Sequence, residues 1–216
     1  MERDEVLRDA YRVQMLEFSA EQLIFVDETG SNERTANRRR GWSPRGVPCR
    51  VSVSNKRSRR WSILPAIGIN GYLYYEMYQG SYDTNRFNDF ILRLLPKMNA
   101  YPGPRSVLVM DNCQTHHSDD LREMCANAGV RLIYIPPYSC DYNPIELSFS
   151  GLKAWIRRNQ RLARAFGDEF VEFLHLAVQY CGVEQHARGY FRRAGIEVSE
   201  DAVDIDYSEL VDHVAY

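Results

Sequence analysis

Two short stretches, "LIFVD" (Leu23–Asp27) and "VLVMD" (Val107–Asp111), constrain the fold more than anything else in the chain. Each is an unbroken apolar run that closes on an aspartate. A run this short, apolar at every position, reads as a strand buried on both faces, as in a parallel sheet covered by helices. Residues at the carboxyl ends of adjacent parallel strands meet at the rim of an open α/β sheet, where sites form. One strand-ending aspartate is usually a turn-former or a helix cap. Two of them at equivalent places predict that Asp27 and Asp111 share a rim, whereas Glu28 points to the opposite face.

The remaining segments alternate in the same spirit. Residues 4–18 carry Val6, Leu7, Tyr11 and Leu16 at loosely helical spacing. "GWSPRG" suggests a turn between short strands. "RWSILPAIGI" and "YLYYEMY" read as strands joined by a hairpin at Asn70-Gly71, with the tyrosines of 72–78 assigned to strand packing rather than base stacking. "TNRFNDFILRLLPKM" puts Phe87, Phe90, Ile91 and Leu94 on one helical face, with Thr84 or Asn85 as its cap. Ser118–Ala128 is a helix ended by Gly129, "RLIYI" a strand, and 168–181 and 184–194 are helices. The plan is one α/β domain with a helical tail, and 216 residues at 44% hydrophobic suffice for one good core. No apolar run nears the roughly 18 residues of a membrane span. "MERDEVLRDA" is too charged for a secretory signal, so an intracellular protein is expected. Five cysteines without a C-x-x-C pair fit reduced thiols rather than disulfides or a zinc site.

The stretch "IPPYSCDYNPIELSFSGLKAWIRR" delivers a third acid, Glu146, onto the first turn of a helix. In a purely structural reading Asn143 is the N-cap, Pro144 the first helical residue and Glu146 the partner in a capping box. Ile145, Phe149, Leu152 and Ile156 then face the core, and Asp141 is a turn residue. In the functional reading Glu146 joins Asp27 and Asp111. Three carboxylates repel one another unless cations sit between them. Hard divalent ions with oxygen ligands answer that need, and paired Mg²⁺ or Mn²⁺ suits in-line attack on phosphodiesters.

A net charge of −2 conceals a polarised chain. Arg34, Arg38, Arg39, Arg40, Arg45, Arg50, Lys56, Arg57, Arg59 and Arg60 run without an acid, interleaved with Trp42 and Trp61. Lys153, Arg157, Arg158, Arg161 and Arg164 follow Glu146 along its helix, while Glu197 to Asp212 is purely acidic. Charge runs are often only solvated faces. Two basic regions flanking the acids favour a phosphate backbone as partner, through Arg38, Arg39, Arg40, Lys56, Arg57, Arg59, Arg60, Lys153, Arg157 and Arg158.

"FVDET", "VMDNCQTHHS" and "YIPPYSCDYNPIELSFSGLK" together resemble the DDE catalytic domain of Tc1/mariner and IS630-type transposases. The 34 residues between Asp111 and Glu146 match that group, as do "GWSPRG" and "YFRRAGI". The resemblance spans about Leu23 to Ile196. It implies an RNase H-like fold, with a central mixed five-stranded sheet flanked by helices and a C-terminal helical extension. With the residue pattern outside that span, the expected layout is an N-terminal helix packing on the core over 1–22, the catalytic domain over 23–160, and the helical extension with its acidic tail over 161–216. It also implies a metal triad of Asp27, Asp111 and Glu146 holding Mg²⁺ or Mn²⁺, two ions once DNA is bound. The implied reaction is cleavage of double-stranded DNA at transposon ends by water, then strand transfer by the freed 3′-hydroxyl. His116 matches a histidine frequent in the family and is read either as steadying the site or touching the scissile phosphate, or as a surface or capping residue. Asn112 is a further candidate for site support. His117, with Asp119 and Asp120 nearby, lacks distant ligands for a metal site.

Two departures stand out. Cys140 replaces the family's usual proline, and phosphoryl transfer at metals needs no thiol from it. Only 22 residues precede the first strand, too few for the helix-turn-helix modules that read terminal repeats. The chain is therefore expected to depend on a separate recognition domain or protein, with a homodimer as one expected assembly. No membrane partner is expected, and the location would be the nucleus of a eukaryote or otherwise the cytoplasm and nucleoid. The alternative reading is a host-adopted or decayed derivative that binds DNA without cutting it. A third is a cellular nuclease acting on RNA–DNA hybrids or junctions.

Overall fold

The computed structural model describes residues 4–37, 42–50, 59–113 and 116–199. The strands are β1 (Leu23–Val26), β2 (Thr29–Ser31), β3 (Trp61–Gly68), β4 (Gly71–Gln79), β5 (Val107–Met110) and β6 (Arg131–Tyr134). The helices are α1 (Glu5–Met15), α2 (Thr84–Leu94), α3 (Asp119–Asn127), α4 (Pro144–Arg158), α5 (Gln160–Phe166), α6 (Phe170–Cys181) and α7 (Glu184–Arg193). The sheet is mixed: β1 is parallel to β5 and β5 to β6, whereas β3 runs antiparallel to β1, β2 and β4. Six strands fill five places across it, as the fold expected from sequence requires. β4 takes one edge of β3, so β1 and β2 must lie in succession along the other. No described helix is long and apolar enough to cross a membrane.

Side-chain alternation along the central strands builds the layers. Leu23, Phe25, Val107 and Val109 face a core shared with Tyr11 of α1, Ile145 and Phe149 of α4, and Phe191 of α7. Ile24, Val26, Leu108 and Met110 face Phe87, Phe90, Ile91 and Leu94 of α2 and Leu121 of α3. Both faces are dry, which is why β1 and β5 carry no polar residue. A third cluster joins Leu152 and Ile156 of α4 to Phe173, Leu174, Ala177 and Val178 of α6. The tyrosines of β4 do pack: Tyr72, Tyr74 and Tyr75 line these clusters.

Several local expectations shift. The hairpin turn is Ile69–Asn70, with Gly71 already in β4. Gly71 has φ +101°, and a Cβ there would lie 2.2 Å from the Gly182 carbonyl. That carbonyl accepts from the Tyr72 N–H (2.9 Å), so the glycine is needed for docking of the hairpin on the segment between α6 and α7 as well as for the turn. Asp83, rather than Thr84 or Asn85, caps α2 by accepting from the Arg86 N–H. The basic run after Glu146 is split between α4 and α5 at Asn159. "GWSPRG" holds a turn, Val47 N–H to Pro44 O, but no strand flanks it among the described residues.

Helix α1 attaches differently from its sequence pattern. Val6 and Leu16 are 78% and 80% exposed, and Leu7 is exposed too. What α1 buries is Tyr11, stacked on Tyr142, and Arg8, whose guanidinium lies 4.2 Å from the Tyr142 ring centroid. Arg8 also donates two hydrogen bonds, of 3.1 and 2.8 Å, to Asp141. Asp141 is thus the anchor of a bidentate ion pair rather than a plain turn residue.

Candidate active site

Parallel register sets the first two acids side by side. Val26 pairs with Met110 at the ends of β1 and β5, so the next residues, Asp27 and Asp111, leave the sheet together. The alternation that sends Phe25 and Val109 toward α4 sends these two the same way. The break between β1 and β2 falls on Asp27–Glu28. Across from it, Leu64 and Pro65 have no partner on that edge of β3, and Pro65 has no N–H to offer. Glu28 turns away and accepts from the Ser62 hydroxyl (2.9 Å), with Arg60 at 4.0 Å.

Asp27 is half-buried. Its Oδ1 accepts from the Glu28 N–H (2.7 Å) and its Oδ2 from Nδ2 of Asn143 (3.0 Å). Burial pushes its carboxyl up to about 7, with the charges of Asp111 and Glu146 adding to the rise. The Glu28 N–H and His116 oppose it. Asp111 goes the other way. Burial would raise it, but contact with His116, that ring's charge and the Cys113 N–H (3.3 Å) outweigh burial and hold it below the usual carboxylate range. Two neighbouring carboxyls pushed in opposite directions are a hallmark of sites built for acid–base or metal chemistry.

His116 supports Asp111 from the α2 side. Its Nδ1 lies 2.6 Å from Asp111 Oδ1, a close polar contact without the directional geometry of a hydrogen bond. The ring is 6% exposed, stacks on Phe87 at 4.2 Å, and its backbone carbonyl accepts from the Tyr134 hydroxyl. His116 is therefore buried against Asp111 rather than on the surface. Asn112 is exposed, and its amide oxygen meets the ring of His117, which itself stacks on Tyr134. The contact seen for its side chain is thus with His117.

Glu146 sits exposed on the first turn of α4, close enough for its charge to act on Asp27. The helix starts as expected: Asn143 caps it, accepting from the Ile145 N–H (3.3 Å), and Pro144 follows. The capping box does not form. A 3₁₀ turn over Cys140–Tyr142 directs the Asn143 N–H to the Cys140 carbonyl (3.1 Å), leaving Glu146 no capping duty. Among the described residues no three His, Cys, Asp or Glu side chains already stand together as a metal cage. In chemistry the set suits a hard divalent ion: three carboxylates, one pushed up by burial and by its neighbours' charge, one exposed on the first turn of α4.

Asn143 and Arg8 are the residues sequence reasoning undervalued. Asn143 was visible only as a cap, and Arg8 only as one charge on a surface helix. Of the basic residues expected to meet DNA, Arg38, Arg39, Arg40, Lys56 and Arg57 lie outside the described residues. Arg59 and Arg60 are exposed at the start of β3. Lys153 is half-buried and Arg157 and Arg158 are exposed at the far end of α4, about 18 Å along the axis from Glu146.

No curated protein matches the sequence, but solved structures do. A pre-cleavage Mos1 transpososome matches with TM-score 0.61 at 12% identity, over 92% of this chain and 66% of that one. The Mos1 transposase paired-end complex with the left transposon end gives 0.59 and 14%, over 90% and 64%. The catalytic domain of Mos1 mariner transposase gives 0.53 and 12%, over 92% and 98%. At such identities the likeness is one of fold, the RNase H-like arrangement with helices after the sheet. The chain spans about two thirds of the transposase in those assemblies and nearly all of the catalytic domain taken alone. The family model described as DDE superfamily endonuclease matches residues 22–166, a stretch that holds both strand-end aspartates and Glu146, and the chain therefore belongs to that family.

Proposed function

We infer that the protein is a divalent-metal-dependent DNA endonuclease and strand transferase, the catalytic part of a DNA transposase, and that Asp27, Asp111 and Glu146 hold its ions. The observation that carries this reading is the β1–β5 register, which brings two aspartates to one rim, with Glu146 on α4 near enough for its charge to act on Asp27. Bound there, Mg²⁺ or Mn²⁺ would supply Lewis-acid activation of the phosphodiester and of the attacking oxygen. The chain's own residues do the rest. Asp111, held ionised by His116, offers a permanent negative charge. Asp27, poised near neutrality, becomes fully anionic when positive charge arrives. Arg59, Arg60, Arg157 and Arg158 grip phosphates on either side. Water attacks the scissile phosphodiester and releases a 3′-hydroxyl, which attacks a second phosphodiester in the target and displaces its 3′-oxygen. Similar folds solved as transposon-end complexes, two of them named with Mn and Mg, support DNA ends as substrate, these metals as cofactors and a paired assembly. Such work belongs where DNA is, in the nucleus of a eukaryotic cell or the nucleoid of a bacterium.

The direct test is nicking of supercoiled plasmid. Nicks should require Mg²⁺ or Mn²⁺, vanish with chelator and vanish in Asp111→Asn. Nicking that ignores metal or survives Asp111→Asn, or no nicking under any metal, would sink the reading.

DNA affinity itself should be weak and poorly selective, because phosphate contacts position a protein without reading sequence. Lys153→Ala, Arg157→Ala and Arg158→Ala together should lower the slope of log affinity against log salt by up to about 3. Arg38, Arg39 and Arg40 should behave alike when neutralised. An unchanged slope in filter binding or fluorescence anisotropy would place the DNA elsewhere.

A further inference from the structure

The N-cap of α4 touches the first acid. Asn143 is 3% exposed, and its amide works at both ends: Oδ1 accepts from the Ile145 N–H at 3.3 Å, and Nδ2 donates to Asp27 Oδ2 at 3.0 Å. The Ile145 N–H fixes the amide's orientation, since a backbone N–H only donates and so must meet Oδ1, which turns Nδ2 to Asp27. The backbone carbonyl of Asn143 also accepts from the Glu146 N–H (3.2 Å). We propose that Asn143 is a positioning residue that yokes the Asp27 carboxylate to the helix carrying Glu146, and so sets the gap the divalent ions enter. The inference rests on the metal triad proposed above.

Capping alone does not explain an asparagine here. Ser or Asp would cap the helix as well, and Asp would gain from the helix dipole. Asp would also place a fourth carboxylate against Asp27, whereas Ser is too short to reach it. Among the good capping residues, Asn alone carries its acceptor and its neutral donor on separate atoms, so one side chain caps the helix and reaches Asp27 at once. The donor occupies one lone pair of Asp27 Oδ2 and the Glu28 N–H one of Oδ1, which leaves each oxygen a lone pair for a metal. The yoke has a fixed base: the residues just before it are clamped by the Arg8–Asp141 ion pair and the Tyr11–Tyr142 stack. A continuous chain of contacts thus runs from α1 through the α4 entry loop to the strand-end aspartate. Groups that orient metal ligands in this way are typically worth 10–100-fold in affinity or activity.

Asn143→Ser and Asn143→Thr keep a cap oxygen and lose the donor to Asp27. Both should melt within a few degrees of wild type without metal, measured by circular dichroism. Mn²⁺ binding, followed by electron paramagnetic resonance of the free ion, should weaken by about 10–100-fold, and plasmid nicking should need correspondingly more Mn²⁺. A merely structural cap would change melting and leave the Mn²⁺ affinity alone. If wild type takes up Mn²⁺ and the folded Ser or Thr variant takes it up equally well, the yoke is wrong and the triad stands. If wild type takes up none, the triad and the yoke fall together.

Discussion

Asp27→Asn should make the metal-free protein more stable at pH 8 while it abolishes metal-dependent cleavage. The carboxyl of Asp27 is raised from 3.8 to about 7 in the folded chain, first by burial and then by Asp111. A folded state that holds its proton more tightly than the unfolded one is favoured at low pH. That contribution is fully present below pH 3.8 and is lost as pH rises through about 7. The loss is on the order of 4 kcal/mol. Asparagine never ionises, so it escapes the loss. It does forfeit one hydrogen bond, because both carboxylate oxygens accept from donors that an NH₂ cannot satisfy; that costs about 1 kcal/mol. The variant should therefore melt at or slightly below wild type at pH 4 and roughly 5–10 °C above it at pH 8 in chelator. Added Mg²⁺ should reverse the order, since it binds only the folded wild type and offsets the same repulsion. Melting curves across pH 4–8, with and without Mg²⁺, make the comparison. Parallel pH profiles for the two proteins would show that Asp27 is not held against the other acids.

Such a trade of stability for charge explains which parts of this chain were legible beforehand. "LIFVD" and "VLVMD" announced their strands because burial on both faces leaves no room for polar residues, and the rim position of their aspartates followed from parallel pairing. The α4 helix was equally plain, since Ile145, Phe149, Leu152 and Ile156 all turn inward. What stayed hidden depends on partners far away in sequence. Asp141 looked like a turn because its partner, Arg8, lies 133 residues upstream. Asn143 looked like a cap because capping is local, while its bond to Asp27 spans 116 residues. Apolar spacing in α1 misled for the same reason: its packing is carried by Arg8 and Tyr11 against Tyr142, so Val6 and Leu16 are left outside. Local grammar identifies elements; long-range polar contacts decide what the site does with them.

Glu146 is where the local and the distant readings part most sharply, and Glu146→Gln separates them. Gln fills a capping box as well as Glu does, yet it lacks the charge a hard divalent ion draws from its ligands. The capping-box bond is absent here, because the Asn143 N–H is already taken by Cys140. What Glu146 gives the helix is only a negative charge on its first turn, worth roughly 0.3–1 kcal/mol. Its charge also presses on Asp27, so removing it relieves as well as costs. Glu146→Gln and Glu146→Ala should both fold, with melting midpoints in metal-free buffer within about 4 °C of wild type. Cleavage in Mg²⁺ should fall by at least about 100-fold in either, the scale of losing one electrostatic partner at a reacting centre. The stabilisation that Mg²⁺ gives wild type should shrink in both variants as well. Near-normal nicking by a well-folded Glu146→Gln protein, in an assay where Asp111→Asn is dead, would leave Glu146 a first-turn charge and nothing more, and the third ligand would have to be sought elsewhere on the rim.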